Sequence, residues 1–346
     1  MRPGPGRRAD PGGRGHRHGP RLRDAAGPAR RRPLRPGDDR LAQSPAFRAP
    51  EPRPRRRLSD LRREADRADR GRDLRPGPPL FIGLVMRSMS IVRETIARID
   101  SGELGALVSL VSLDATEHLP PEHGGYLARN WRRRQEFGGS YLLDKVCHDF
   151  DIFGRLARSR PAKVASFGGR EIFTTTRAGE YVYSDGQPAY ALREAGWSGA
   201  NDAFHSDMDV TDHQNALVQY ANGVRLSFHA NSHVALPERR WYVACTDGTL
   251  IADLVRNRLM VRRAMDRGKP ERIDYGGRTE DSHNGADQAM ARDLLASLET
   301  GAPFPVTPFE SMEAGLTVMA IDEAMALGEM LDCGPMWARY DAARGG

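Results

Sequence analysis

Eight residue types, Ile, Val, Thr, Lys, Asn, Tyr, Trp and Cys, are absent from residues 1–78, and the vocabulary changes abruptly at Phe81-Ile82-Gly83-Leu84-Val85-Met86. Val, Ile and Thr are the residues that build strands, and prolines recur too often for a helix before about Ser59. The first 78 residues therefore hold no sheet with a buried core. Low hydrophobicity with high charge predicts disorder there. The charge is lopsided as well. Residues 1–80 carry 23 Arg, no Lys and 10 acids, whereas the rest carries 29 basic and 36 acidic residues. Two origins fit this usage: a GC-rich coding region read out of frame up to about residue 78, or a native Arg-rich tail. The runs Arg30–Arg32 and Arg55–Arg57 raise the reading of an Arg-rich nucleic-acid-binding protein with an unrelated folded domain. No Lys, Tyr or Trp accompanies them, so no nucleic-acid partner is expected.

At 346 residues the chain has room for two ordinary domains. Its three cysteines, Cys147, Cys245 and Cys333, fit neither a disulfide framework nor a zinc motif and predict a reduced, cytoplasmic protein. The longest apolar stretch, around Pro79–Met86, is far short of the roughly 20 residues of a membrane span. Gly4-Pro5-Gly6-Arg7-Arg8-Ala9 has the spacing of a dinucleotide-binding turn. Such a turn works only between a strand and a helix, and Pro11–Pro20 forbids the helix.

From residue 79 onward the pattern is that of a folded protein. Phe81–Arg87 reads as a short strand. Ser90 caps a helix whose Ile91, Thr95, Ile96 and Ile99 share a face until Gly102, and Ala106–Ala115 is a second strand. A loop over 119–139 leads to a helix over Ser140–Arg158. Strands follow, with Asn222-Gly223 and Asp247-Gly248 predicting type I′ hairpins. Helices over Ala286–Thr300 and Glu310–Leu331 close the chain. The expected class is α+β, a mostly antiparallel open sheet backed by helices. The expected divisions are a 1–78 segment, a 79–105 remnant, a 106–337 domain and a 338–346 tail.

The most informative stretch is Gly138-Gly139-Ser140-Tyr141-Leu142-Leu143-Asp144-Lys145-Val146-Cys147-His148-Asp149-Phe150-Asp151. On a regular helix Asp144, His148 and Asp151 form one polar stripe, two carboxylates flanking an imidazole. That set suits removal of a proton from a secondary alcohol, with Asp144 orienting the ring or holding a hydroxyl. It equally suits a solvated helix face. Lys145, with Asp149 at i+4, reads as a surface salt bridge or a substrate contact. Arg132–Arg134 fit a solvated loop, and His283 at the mouth of a helix fits a helix cap. No His lies among carboxylates or thiolates at convincing metal-ligand spacing, so no metal is expected.

These landmarks, in order, resemble the Gfo/Idh/MocA family of nicotinamide-dependent oxidoreductases. Gly139–Asp151 is similar to the family's signature helix, whose Asp and His lie beside nicotinamide and substrate. Ile82–Arg87 resembles the last Rossmann strand, and Ile99–Gly105 the passage into the second domain. Asn130-Trp131-Arg132 resembles the loop that reaches the cofactor. Asn222-Gly223-Val224, Thr246-Asp247-Gly248 and His283–Asp287 resemble later hairpins and a late helix. The resemblance implies NAD or NADP as cofactor, a sugar, cyclitol or related polyol as substrate, and a homo-oligomer joined through the sheet face. It also implies His148 and Asp144 as catalytic residues, Lys145 and His283 as substrate contacts, and Arg87, Trp131 and Arg132 as cofactor contacts. Two family features are missing. No glycine-rich loop stands between a strand and a helix, and no Glu-Lys-Pro occurs; Glu51-Pro52-Arg53 stands in about its place, and the first lysine is Lys145. Impaired activity, or a cofactor-less binding and oligomerisation domain, follows as the alternative.

Overall fold

The computed structural model describes residues 80–115, 126–128, 130–187, 189–190, 202–234, 236–276 and 283–345. All belong to one compact unit, Arg55–Gly346. The readings made for residues 1–78, disorder, frame error and nucleic-acid contact, lie outside the described residues.

Helix α1 (Ser90–Asp100) buries Ile91, Val92, Thr95 and Ile99 on one side, as its periodicity predicts. The chain then forms β1 (Leu107–Ala115), α2 (Cys147–Ala157), β2 (Pro161–Gly169), β3 (His213–Tyr220), β4 (Arg225–Asn231), β5 (Glu238–Cys245), β6 (Gly248–Asp253), β7 (Arg258–Arg263) and β8 (Glu271–Asp274). Helices α3 (Ala286–Thr300) and α4 (Pro308–Leu327), the short β9 (Leu331–Asp332) and α5 (Gly334–Gly345) complete it.

The nine strands make a single sheet in the order β8-β7-β6-β5-β1-β4-β3-β2-β9. Every neighbouring pair is antiparallel except β1 with β4, so the α+β expectation holds. Strict alternation sends one set of side chains to the core. Val218, Tyr220, Leu226 and Phe228 are all on the buried side. The period of two puts these four together on that side. α2 is pinned to this face by aromatic contacts, Phe150 on Phe228 at 4.9 Å between ring centroids and Phe153 on Trp241 at 5.6 Å. On the other face Leu217 of β3 and Tyr242 of β5 lie in one register row, 58% and 44% exposed.

Five local expectations need correction. Phe81–Arg87 is no strand: Phe81–Leu84 is irregular and Val85–Ser88 is a 3-10 turn, because the sheet offers it no ladder partner. The Asn222-Gly223 turn is not type I′, since positive φ occurs at Gly223 alone (89°). The Gly223 amide donates to Tyr220 O and the Tyr220 amide to Val224 O, giving a three-residue loop with a glycine bulge. At Thr246-Asp247 the backbone stays out of the left-handed region, and its amides donate to Ala106 O and Leu104 O beside β1. The helix expected over Glu310–Leu331 starts earlier, at Pro308. Glu310 is the third residue of a capping box closed by Thr307, and Gly328 at φ 68° ends the helix before β9. Residues 334–345, expected mostly as a tail, form α5 instead, because Pro335 is tolerated in a helix's first turn.

Candidate functional site

The site helix is built in two pieces. Gly139 sits at φ 75°, where a Cβ would come within 2.7 Å of Leu143 Cδ2, and Gly138 leaves room for the Trp131 backbone. From this turn the chain enters a π-helical segment, Leu142–Val146, before settling into α2. The continuous helix expected over Ser140–Arg158 is thus interrupted where Asp144 and Lys145 lie, and such π segments change the facing of side chains on either side of them. Arg158, in the left-handed conformation, ends α2.

The stripe of two carboxylates around one imidazole is accordingly not what forms. Asp144 Oδ2 accepts from Tyr126 OH and from Arg132 Nε, each at 3.1 Å. The Arg132 guanidinium lies over both the Tyr126 and Trp131 rings, at 4.3 and 4.4 Å. Burial pushes the Tyr126 phenol up to about 12, so it stays protonated and donates. Lys145 Nζ lies 5.1 Å from the same Tyr126 ring. Asp151 instead holds Arg87 through two bonds of 2.7 Å. Arg87 also reaches Glu310 at 3.2 Å and Pro305 O at 3.1 Å. Its guanidinium is engaged by the protein, which removes the observation that would favour it as a cofactor contact.

Asp149, expected on the surface beside Lys145, is fully buried. It accepts from Arg239 Nε at 3.2 Å and Trp241 Nε1 at 3.2 Å, and pairs with Arg239 Nη2. Arg239 is the site residue that the sequence reading missed, since Glu238-Arg239-Arg240 looks like an ordinary edge of a solvated strand. The one signal was Asp149 itself, an acid among apolar neighbours on the sheet-facing side of a helix, which needs a cation. Tyr126 was also missed, hidden in a loop rich in Pro and Gly.

His148 lies between these groups. Its Nδ1 is buried and has no hydrogen-bond partner among the described residues. Burial chiefly, then the positive charges of Arg239, Lys145 and His283, hold its pKa down to about 4. Lys145, His148 and His283 are thereby brought into one electrostatic neighbourhood, while His283 Nδ1 contacts Asp287 Oδ2 at 2.8 Å. The imidazole is neutral at pH 7 and can accept a proton. A consequence for stability follows. The unfolded chain binds this proton near the ordinary value of 6.5 and the folded chain only near 4. Stability is therefore full above 6.5 and falls as pH drops through that window, by about 3 kcal/mol from this residue. Urea midpoints at several pH values are expected to show this loss in the wild type and its absence in His148→Gln. Equal pH dependence in both would refute it.

Among the described residues no group of three or more metal-ligating side chains converges, and no helix is long and apolar enough to cross a membrane.

Known structures share this fold. A levoglucosan dehydrogenase in complex with NADH and levoglucosan superposes with a TM-score of 0.55 at 16% identity, over 73% of this chain and 66% of that one. An oxidoreductase domain protein from Kribbella flavida gives 0.54 at 14%, over 72% and 64%. An oxidoreductase from Agrobacterium radiobacter in complex with NAD+, L-tartaric acid and magnesium gives 0.55 at 18%, over 81% and 70%. The chain spans slightly less than two thirds of the first two. At such identities the likeness is one of fold. In sequence, residues 92–251, somewhat under half of the chain, match the model of the GFO/IDH/MocA C-terminal domain. No curated protein matches the chain.

Proposed function

We propose that this chain supplies the substrate-binding half of a cytoplasmic, nicotinamide-dependent oxidoreductase acting at a hydroxyl-bearing carbon of a sugar, cyclitol or related polyol. The observation that carries this reading is His148: a buried, neutral imidazole with an unpartnered nitrogen, on the signature helix of a matched Gfo/Idh/MocA domain. Bound NAD or NADP would supply the hydride acceptor. Trp131, 39% exposed with the Arg132 guanidinium over its ring, suits the nicotinamide end of such a group. His148 takes the proton of the substrate hydroxyl. Lys145 and His283 hold neighbouring hydroxyls, and the Lys145 ammonium favours the alkoxide that develops. Asp144, tied to Arg132 and Tyr126, orders the cofactor-side loop and does not orient the imidazole.

A second reading, a binding and oligomerisation domain without cofactor, is favoured by the missing glycine-rich loop and Glu-Lys-Pro. The two are separated by titrating NADH and NADPH fluorescence. In this chain the affinity is expected to be weaker than micromolar, because the pyrophosphate has no recognisable cradle in the sequence. A micromolar constant would overturn that expectation.

The open sheet face is the surface we assign to self-association. Leu217 and Tyr242 on its central row, with Phe167 at 72% exposure nearby, leave an apolar strip in water. Sedimentation is expected to give a dimer or larger assembly at micromolar concentration, and Leu217→Glu a monomer. A monomeric wild type would count decisively against this surface.

A further inference from the structure

We infer, resting on the polyol site proposed above, that Asp322 of α4 is a positioning residue for that site. It ties the start of the segment carrying Asp144 and Lys145 to the sheet, and uptake of a proton loosens the tie.

Two neutral side chains hold Asp322. The Gln214 amide of β3, fully buried, donates to its Oδ1 at 3.1 Å and to Ser166 Oγ of β2 at 3.1 Å. The Ser140 hydroxyl gives the second bond. Ser140 directly follows the Gly138-Gly139 turn, and two amides of the site segment depend on it. The Leu143 amide donates to its Oγ and the Asp144 amide to its carbonyl, each at 3.0 Å. With its proton given to Asp322, the Ser140 oxygen keeps its lone pairs for the Leu143 amide. A line of bonds thus runs from β2 through Gln214, Asp322 and Ser140 into the turn from which Asp144 and Lys145 start.

The neighbouring acids Asp149 and Asp151 each take an arginine. Among the described residues Asp322 has no such cation. No charged or titratable group on the elements packed against α4 acts on it: not Lys145 in the π segment, Cys147, His148 or Asp151 on α2, Lys163 on β2, or Asp332 on β9. Burial outweighs the bonds from Ser140 and Gln214 and pushes its pKa up to about 6. A protonated Asp322 no longer draws the Ser140 proton, and its bonds lose about half their strength. The folded value lies above the ordinary 3.8, so the charge of Asp322 costs stability above about pH 6, and the cost is relieved as pH falls toward 3.8. This sign is opposite to that of His148, so each effect is read by comparing its own variant with the wild type. A charge kept against the stability of the fold, at the start of the site segment, is what a positioning role requires.

The test is NMR titration of the purified full chain, labelled with 15N and with 13C-aspartate, between about pH 5 and pH 7.5. The Asp322 carboxyl, assigned by its loss in Asp322→Asn, is expected to titrate near 6. The Leu143 and Asp144 amide resonances should move with the same midpoint in the wild type and stay fixed in Asp322→Asn. Ser140→Ala should leave the carboxyl titrating and uncouple both amides. At neutral pH Asp322→Asn should raise Tm, because a buried charge is gone; a role in packing alone would lower it. With an oxidised polyol, the wild-type KM is expected to rise about fivefold as pH falls through the same midpoint, and Asp322→Asn to hold the higher KM throughout. Amides that ignore the carboxyl, a lower Tm in Asp322→Asn, or the same KM profile in both proteins would overturn the inference. Coupled amides in a chain that oxidises no polyol would support the tie and overturn the proposed activity instead.

Discussion

Arg239→Ala is expected to destabilise the protein by about 3–5 kcal/mol, the scale for removing one partner of a buried ion pair. The cost is so large because of what remains. Asp149 is fully buried and would lose the Arg239 fork, while the Trp241 indole still donates to it. A lone carboxylate in that position must either stay charged in a low dielectric or take up a proton. Asp149→Asn combined with Arg239→Ala should recover part of the loss, since no charge is then stranded. Urea unfolding of the single and double variants checks this. A single variant within 1 kcal/mol of wild type, on the scale of an exposed pair, would show that the pair is hydrated in solution.

His148→Ala is expected to lower turnover by roughly 10²-fold, the usual scale for loss of a general acid–base group, with the fold retained. The imidazole Nδ1 makes no hydrogen bond among the described residues, so truncation removes a buried unsatisfied atom. Asp144→Asn should cost less, because the amide oxygen can still accept from Tyr126 or Arg132. A structural role alone would show the reverse, a lower Tm with unchanged turnover. Assays at saturating polyol and millimolar cofactor, with circular dichroism on the same samples, separate these outcomes.

The sheet was largely legible because alternation and turn residues act locally. The hairpin of β3 and β4 falls where Asn222-Gly223 was expected to turn the chain, and both strands keep the period of two. The hairpin's turn type was not legible, as it depends on φ at Asn222, which the dipeptide does not fix. The insertion of β1 between β4 and β5, parallel to one and antiparallel to the other, left no local mark either, because it is a contact between residues more than a hundred positions apart. In the site, the helix and its His were visible in the motif. The partners were not. The spacing of Asp144, His148 and Asp151 assumed a regular helix, and the π segment at Leu142–Val146 breaks that assumption. Each carboxylate then goes to an arginine distant in sequence or on the preceding loop, Asp149 to Arg239, Asp151 to Arg87 and Asp144 to Arg132. Long-range charge pairing of this kind follows from tertiary packing and from no periodicity.

The most direct test of the proposed activity is the absorbance of reduced nicotinamide when the purified chain is mixed with millimolar NAD+ or NADP+ and a panel of sugars, cyclitols and linear polyols. The account predicts slow, enzyme-dependent reduction with at least one of them, suppressed in His148→Ala. No reduction with any member of the panel, from a chain that is folded and binds a polyol, would contradict it and leave a binding and assembly domain in its place.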